Sequence, residues 1–273
     1  MANQALALLE TALRDRKLDR TLTTALPPLD RADPASFLPF DIAAVDALLR
    51  GGLPRGQVSE IAGSTSSGRT TLLLQLLGAV TRRGEVAAFV DTCDRLDVAS
   101  ASAAGIDLGH LLWVRGDSEF TPQTTGVSLH SLRTSPAAVG NAARAVDRAL
   151  KALNLVLQAG GFAVAAIDLT DVPPRVLKSL PFTTWLRLQR VVEGSDTACV
   201  LVTPEPLARS AGGLTVMCSG RTTWNSNSTC STAVASAKAV MAGFDTDIRV
   251  VSPRRRVDGT ARVAAVACSG PWG

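Results

Sequence analysis

The chain has 273 residues, 46% of them hydrophobic and 19% charged, and carries a net charge of +4. That length and apolar content can bury a core, most simply as one large α/β domain with short appendages. No apolar run reaches the roughly 18 residues of a membrane span, and the N-terminus lacks the basic and apolar segments of a signal peptide. We therefore expect a soluble, cytoplasmic protein that does not act at a membrane.

The sequence has few residues suited to metal binding or redox chemistry. The five cysteines are odd in number and show no Cys-x-x-Cys pair, and the chain has two histidines. We interpret the cysteines as reduced and mostly buried, and we expect no metal site built by the protein alone. Aromatic residues make up 4% of the chain, and tyrosine is absent, which argues against a surface that stacks single-stranded bases.

The predicted elements begin with an amphipathic helix over 4–18, followed by a proline-containing linker that ends at Ser36. Strands and helices then alternate, with a long loop predicted over 117–140 and, beyond Gly212, short strands around a polar loop at 225–232. The predicted helices are 41–49, 70–81, 142–159 and 183–193. The predicted strands are 57–62, 85–91, 111–114, 162–169 and 197–203.

Continuous apolar strands separated by helices indicate a mostly parallel sheet covered by helices on both faces. We expect an α/β fold with a P-loop core, an N-terminal helix and a short β-rich C-terminal region. The corresponding domain boundaries are 1–36 for the N-terminal helix and linker, 37–215 for the core and 216–273 for the C-terminal extension.

The segment from Gly63 to Thr71 has the spacing of a phosphate-binding P-loop, G-x-x-x-x-G-K-[ST], with one substitution. Its two glycines let backbone N–H groups curl into an anion nest, and Thr70 can ligate Mg²⁺. The lysine that should reach the β- and γ-phosphates is Arg69, which is planar, bulkier and always charged. The motif predicts a nucleotide-binding fold and casts doubt on hydrolysis.

An acidic residue at the end of a later strand fits the P-loop. The apolar run 164–167 ends at Asp168, and a carboxylate at such a strand end near a P-loop can hold the water shell of Mg²⁺. The alternative is that Asp168 is simply the polar residue at the end of a strand and has no role in a site.

These motifs resemble the RecA recombinase core. The likeness begins at Gly51, runs through the P-loop to Leu72, and continues through Asp91 and Asp97 to Leu112. It is strong over 38–116, fainter over 142–215 and weak beyond. Closer still is the resemblance to the ImuA family of RecA-like accessory proteins, carried by the blocks 160–174 and 206–210.

The resemblance to ImuA implies a role and partners. Proteins of this type accompany the Y-family-like protein ImuB and an error-prone C-family DNA polymerase in translesion synthesis induced by DNA damage. The resemblance therefore implies a DNA-repair accessory protein of the SOS response, with ImuB, that polymerase and RecA as partners.

The chain also departs from RecA at the residues that hydrolyse ATP. The glutamate that activates water corresponds to Cys93, the aromatic that stacks on adenine to Ser100, and the glutamine that senses the γ-phosphate to about Pro204. A thiol cannot act as a carboxylate base, and Asp94 beside it should point to the opposite face of the strand. Each such loss typically costs about 10²–10⁴-fold in rate. We therefore expect no physiological turnover.

Whether the degenerate site still binds ATP or ADP with Mg²⁺ stays open at this point. Arg69 can pair with a phosphate through two hydrogen bonds, or it can fold over the nest and pair with Asp168 or Asp91. Asp97 remains available to accept a hydrogen bond from adenine. The candidate nucleotide-binding residues are Gly63, Ser66, Ser67, Gly68, Arg69, Thr70, Thr71, Asp97 and Asp168.

DNA contact is a secondary expectation. The two DNA-binding loops of RecA correspond here to about 172–182 and 205–215, and basic residues in and near them, with a second cluster near the C-terminus, could bind phosphates. The alternative is a solvated basic face. The candidate DNA-binding residues are Arg175, Lys178, Arg187, Arg190, Arg209, Arg254, Arg255 and Arg256.

Three functional hypotheses follow. The first is an accessory protein that works by binding ImuB or RecA. The second is a divergent DNA-stimulated ATPase in which Arg69 replaces the lysine and Asp91 or Asp94 replaces the glutamate. The third is an inhibitor that caps RecA filaments.

Overall fold

A computed structural model of the chain describes residues 34–116, 136–208, 213–225, 240–251 and 260–266. The predicted N-terminal helix over 4–18 lies outside these residues. So do most of the loop predicted over 117–140 and the polar loop predicted after Asn225.

The helices are α1 (Ala43–Leu49), α2 (Arg69–Arg82), α3 (Val98–Ala103), α4 (Pro136–Ala159), α5 (Pro174–Ser179) and α6 (Phe182–Val192). The strands are β1 (Phe37–Leu38), β2 (Leu53–Pro54), β3 (Val58–Gly63), β4 (Ala87–Asp91), β5 (Leu111–Arg115), β6 (Val164–Asp168), β7 (Ala198–Thr203), β8 (Thr215–Asn225), β9 (Val240–Val250) and β10 (Thr260–Val266). None of the helices in the described ranges is long and apolar enough to cross a membrane.

Eight of these strands form one sheet in the order β10-β9-β8-β3-β7-β6-β4-β5. The six strands from β8 to β5 in this order pair in parallel, and β9 and β10 add antiparallel strands at one edge. The α/β class with a mostly parallel sheet flanked by helices is thereby confirmed. Strands β8 to β10 belong to the same sheet as the core strands. The domain boundary proposed after residue 215 stays a prediction.

The sheet separates two apolar cores because successive side chains on a strand point to opposite faces. In β4, Ala87 and Phe89 pack with the buried leucines of α2, whereas Ala88 and Val90 pack with α4 and α6. The continuous apolar runs that predicted the strands follow from this covering of both faces. Helix α6 buries one face, formed by Trp185, Leu188 and Val192.

The structure corrects three expectations. Helix α4 begins at Pro136, so the last residues of the loop predicted to end at 140 are helical. Residues 172–182, expected as a loop, contain α5, which begins with proline at a position that tolerates it and buries Val176 and Leu177. The strands β8 and β9 each span 11 residues and are not short, because they pair with each other along nearly their whole length.

Candidate functional site

The P-loop joins β3 to α2 at the carboxyl end of the parallel strands, where ligands of open α/β sheets bind. Gly63 is the last residue of β3, and Gly68 caps α2 with φ of 85°. Ser66 also has a positive φ of 58°, and the Ser67 N–H donates to the Ser64 carbonyl at 3.2 Å. The loop therefore has the tight turn that its glycine spacing predicted.

The backbone of this loop still offers donors to an anion. Among the residues that the structure describes, none accepts a hydrogen bond from the N–H groups of Ser66, Gly68 and Arg69. Thr70 and Thr71, in the first turn of α2, are exposed. Unpaired amides at the start of a 14-residue helix form the kind of nest that holds a phosphate. This part of the site fits a phosphate group, and the Thr70 hydroxyl would be the Mg²⁺ ligand.

Arg69 is the feature that sets this loop apart. Its side chain is only 9% exposed, and one guanidinium nitrogen donates to the carbonyl of Gly63. The Nε atom is buried without a partner. Burial lowers the pKa of Arg69, while the charges of Asp168 and Asp171 act in the opposite direction.

The ion pair considered between Arg69 and Asp168 or Asp91 is not formed within 4.0 Å. Strand β7 lies between β3 and β6, so Asp168 is two strands away from the P-loop strand. Arg69 is instead bonded to the backbone that begins its own loop. The guanidinium must leave the Gly63 carbonyl before it can pair with a phosphate.

Asp168 lies at the end of β6 and is half-buried. One of its oxygens accepts from the Thr170 N–H at 2.8 Å. Burial raises the pKa of Asp168 to about 6, and the nearby charges of Asp91 and Asp171 add to the increase. A cation at this strand end would relieve that penalty, which fits the predicted Mg²⁺ role.

Cys93 stands near the same carboxylates and cannot serve as a base. It is 5% exposed. Burial, together with the charges of Asp171 and Asp168, raises its pKa to about 12. The thiol stays protonated at neutral pH, and the acidic neighbours oppose its ionisation.

The two aspartates considered as substitutes for the missing glutamate are both committed elsewhere. Asp91 is completely buried, and one oxygen accepts from the Leu96 N–H at 2.8 Å and from the Trp113 indole at 3.3 Å. Asp94 is held by two hydrogen bonds of 2.8 Å from Arg115. Asp94 is therefore engaged through both oxygens, whereas Asp91 keeps one buried oxygen, Oδ1, without a hydrogen-bond partner among the described residues.

Asp97 caps a helix. Its carboxylate accepts from the Ser100 N–H at 2.8 Å and from the Ser100 hydroxyl at 2.6 Å, at the start of α3. One oxygen of the acceptor expected to meet adenine is therefore engaged in this cap, and Ser100 provides no aromatic face. The described residues fit a phosphate better than they fit a whole adenine nucleotide.

Sequence reasoning missed the packing of β8 and β9 against the P-loop. A Cβ added at Gly68 would collide with the Thr246 hydroxyl of β9. A Cβ added at Gly220 of β8 would collide with the Ser66 carbonyl and the Phe244 ring. The only sequence signal was a glycine inside a strand, which often marks close backbone approach.

Glu60 was also missed. It is 1% exposed in β3, three residues before the P-loop begins. Its carboxylate accepts from the Thr203 hydroxyl at 2.9 Å, the Leu207 N–H at 2.7 Å and the Ala208 N–H at 3.3 Å. Burial raises its pKa. A charged residue within an otherwise apolar strand was the available signal, since such groups are buried only with partners.

The structure places the described DNA-binding candidates on two consecutive helices. Arg175 and Lys178 lie on α5, and Arg187 and Arg190 lie on α6, all exposed. Lys178 is paired with Glu205 at 2.9 Å. Arg209 and the cluster Arg254, Arg255 and Arg256 lie outside the described residues.

The fold and the site together define a P-loop α/β protein with an altered phosphate loop. Within that class, residues 35–125 match the RecA N-terminal domain. Protein RecA of Nostoc punctiforme is 47% identical over 74 residues, which are 27% of this chain and 21% of that protein. Protein RecA of Clavibacter michiganensis is 40% identical over 113 residues, and Protein RecA of Arthrospira platensis is 39% identical over 106 residues.

The chain spans a minor part of these relatives, namely 31% of the Clavibacter protein and 29% of the Arthrospira protein, and the matches cover 40% and 38% of this chain. The matches support the RecA superfamily for the P-loop half of the core, in agreement with the strongest part of the resemblance.

Proposed function

We propose that this protein is a cytoplasmic RecA-like accessory protein of the ImuA type, which acts in damage-induced translesion DNA synthesis by binding ImuB, RecA or both. The observation that carries the proposal is the state of the site. The P-loop keeps its shape, but Arg69 is bonded to Gly63 and a protonated Cys93 stands where a carboxylate base is needed. A RecA-like fold without its catalytic groups is suited to binding partners. The error-prone C-family polymerase enters the proposal as the enzyme that this complex serves.

One experiment tests the role directly. The full chain is co-expressed with an ImuB-type protein and, separately, with RecA, and complexes are isolated by size-exclusion chromatography. We expect a stable complex with at least one of them. Failure to bind either protein would overturn the proposal. Loss of RecA strand exchange at substoichiometric amounts of this protein would instead favour the filament-capping hypothesis.

A divergent DNA-stimulated ATPase is the second candidate, favoured by the unpaired loop amides and the exposed Thr70. The complete burial of Asp91 and the engagement of both Asp94 oxygens by Arg115 argue against it. ATP turnover is measured with and without single-stranded DNA. Turnover that Arg69→Ala abolishes would establish this candidate in place of the first.

A further inference from the structure

The face of α6 that points away from the core carries two apolar side chains and two arginines. Phe182 and Leu186, one helical turn apart, are 46% and 40% exposed. Arg187 and Arg190 follow within the next turn and are exposed. We refer to these four residues as the α6 face.

The arginines of the α6 face are not neutralised within the part of the chain that the structure describes. Neither Arg187 nor Arg190 has an acidic partner within 4.0 Å there. Helix α6 itself contains no acidic residue, and the nearest acid in sequence is Glu193, just after its end. By contrast, Lys178 on the preceding helix is paired with Glu205.

The opposite side of α6 fixes the helix to the sheet. Trp185 is 2% exposed, and the Gln189 side chain accepts from the Val58 N–H at 2.9 Å and donates to the Gly56 carbonyl at 3.4 Å. These contacts leave the helix no freedom to turn its exposed side chains inward. The α6 face is a rigid, preformed surface, and a partner would not have to order it on binding.

Single exposed hydrophobic residues are common on protein surfaces. Among the described residues, however, Phe182 and Leu186 are the exposed large hydrophobic side chains that lie one turn apart on a single helix. The spacing i, i+4 is that of the anchors by which amphipathic helices bind each other. The adjacent arginines add a positive rim to this apolar strip.

We propose that the α6 face is a docking site for an acidic amphipathic helix of a partner protein. The apolar side chains of that helix would cover Phe182 and Leu186, and its carboxylates would pair with Arg187 and Arg190. A protein segment fits better than DNA, because a phosphate backbone supplies charge but nothing apolar to cover Leu186. The inference rests on the proposed function, since it assigns a partner-binding surface to it.

The test uses the full chain and a fluorescent synthetic helical peptide with leucines at i and i+4 and glutamates on the flanking positions. Two matched peptides replace the glutamates by lysine or the leucines by serine. We expect anisotropy to show binding of the glutamate peptide and at least about tenfold weaker binding of both matched peptides, as is usual when interface anchors are lost. Equal binding of the glutamate and lysine peptides would overturn the inference.

Two double variants assign the binding to this face. The double variant Phe182→Ser with Leu186→Ser should bind the glutamate peptide about tenfold more weakly than the wild type does. The double variant Arg187→Glu with Arg190→Glu should instead prefer the lysine peptide. The control is Leu155→Ser, which removes a side chain that is 66% exposed on α4 and should change nothing. Circular dichroism and melting temperatures confirm that every variant is folded. If the double variants bind the glutamate peptide as tightly as the wild type does, the inference is wrong.

Three further outcomes separate this inference from a nucleic-acid surface and from the proposed function. If single-stranded DNA binds, is lost with the arginine variant and is retained with the serine variant, while no peptide binds, the face is a nucleic-acid surface and the inference is wrong. If the ImuB or RecA complex survives both double variants and the peptide does not bind, the inference fails while the proposed function stands. If the peptide binds through this face but neither protein does, the proposed function fails alone.

Discussion

Replacing Arg69 by lysine should improve nucleotide binding without restoring hydrolysis. In the structure the guanidinium donates to the Gly63 carbonyl, and Arg69 as a whole is only 9% exposed. Arg69 must break this bond before it can pair with a phosphate. A lysine has no such fork to hold at the carbonyl, and its flexible stem can follow the phosphate.

The magnitude follows from the bond that is lost. A hydrogen bond from a charged donor contributes about 1.5–3 kcal/mol, and each 1.4 kcal/mol corresponds to about a tenfold change in affinity. Because the Nε atom is already buried without a partner, the present arrangement is not fully satisfied, and the lower part of the range applies. We expect Arg69→Lys to bind Mg²⁺–ADP about tenfold more tightly than the wild type.

Binding is measured by the anisotropy of a fluorescent ADP analogue, and hydrolysis is measured separately as phosphate release from ATP. Arg82→Lys is the matched control, because Arg82 ends the same helix, is 45% exposed and lies away from the loop. It should leave the affinity unchanged. No release of phosphate is expected from either variant, because Cys93 is unchanged and its thiol remains protonated. Equal affinities of the wild type and Arg69→Lys would refute the reasoning.

Three further substitutions test other contacts. Glu60→Gln places an amide nitrogen opposite a backbone N–H, so we expect the free energy of unfolding, measured in urea, to fall by about 2 kcal/mol. Hydrogen exchange of the backbone just after β7 should become faster, and unchanged exchange would contradict the contact. The raised pKa of Asp168, about 6 against 3.8, gives stability that is complete below pH 3.8 and is lost as the pH rises through 6. Asp168→Asn should remove this loss and raise the free energy of unfolding by about 1–3 kcal/mol at pH 8. If the free energies of unfolding of the two proteins change with pH in parallel, Asp168 is not the group responsible. Gly220→Ala should cost about 1–3 kcal/mol because the new Cβ meets the Ser66 carbonyl, while Gly140→Ala, with nothing within 4 Å, should not destabilise.

Much of the sheet was predictable because its strands are buried on both sides. The runs that became β4, β6 and β7 are apolar without interruption, and each was predicted to within two residues. Helix α5 was missed because six residues are too few to show a helical period. The length of β8 was missed because its second half, 219–225, is mostly polar without alternation and depends on pairing with β9.

The sequence singled out residues for the candidate site, whose roles stay a prediction, but it could not show the contacts that these residues make. The sequence identified Arg69, Cys93 and Asp168 as the informative positions, since each is defined by its place in a motif. It could not show that Arg69 bonds to Gly63 and not to a carboxylate, because strand order decides which groups meet. With β7 between β3 and β6, the P-loop and Asp168 follow strands that are not neighbours in the sheet.

The packing of the P-loop explains why its glycines are needed even with an arginine at position 69. Gly63 and Gly68 lie where Ser67, the Cys218 carbonyl of β8 and Thr246 of β9 leave no room for a Cβ. A larger residue at either position would push β8 and β9 away from β3, and these strands complete one edge of the sheet. The loop spacing is therefore required by the fold whether or not a nucleotide binds. A P-loop motif in this chain is evidence for the architecture first, and the identity of the residue at position 69 is the better guide to chemistry.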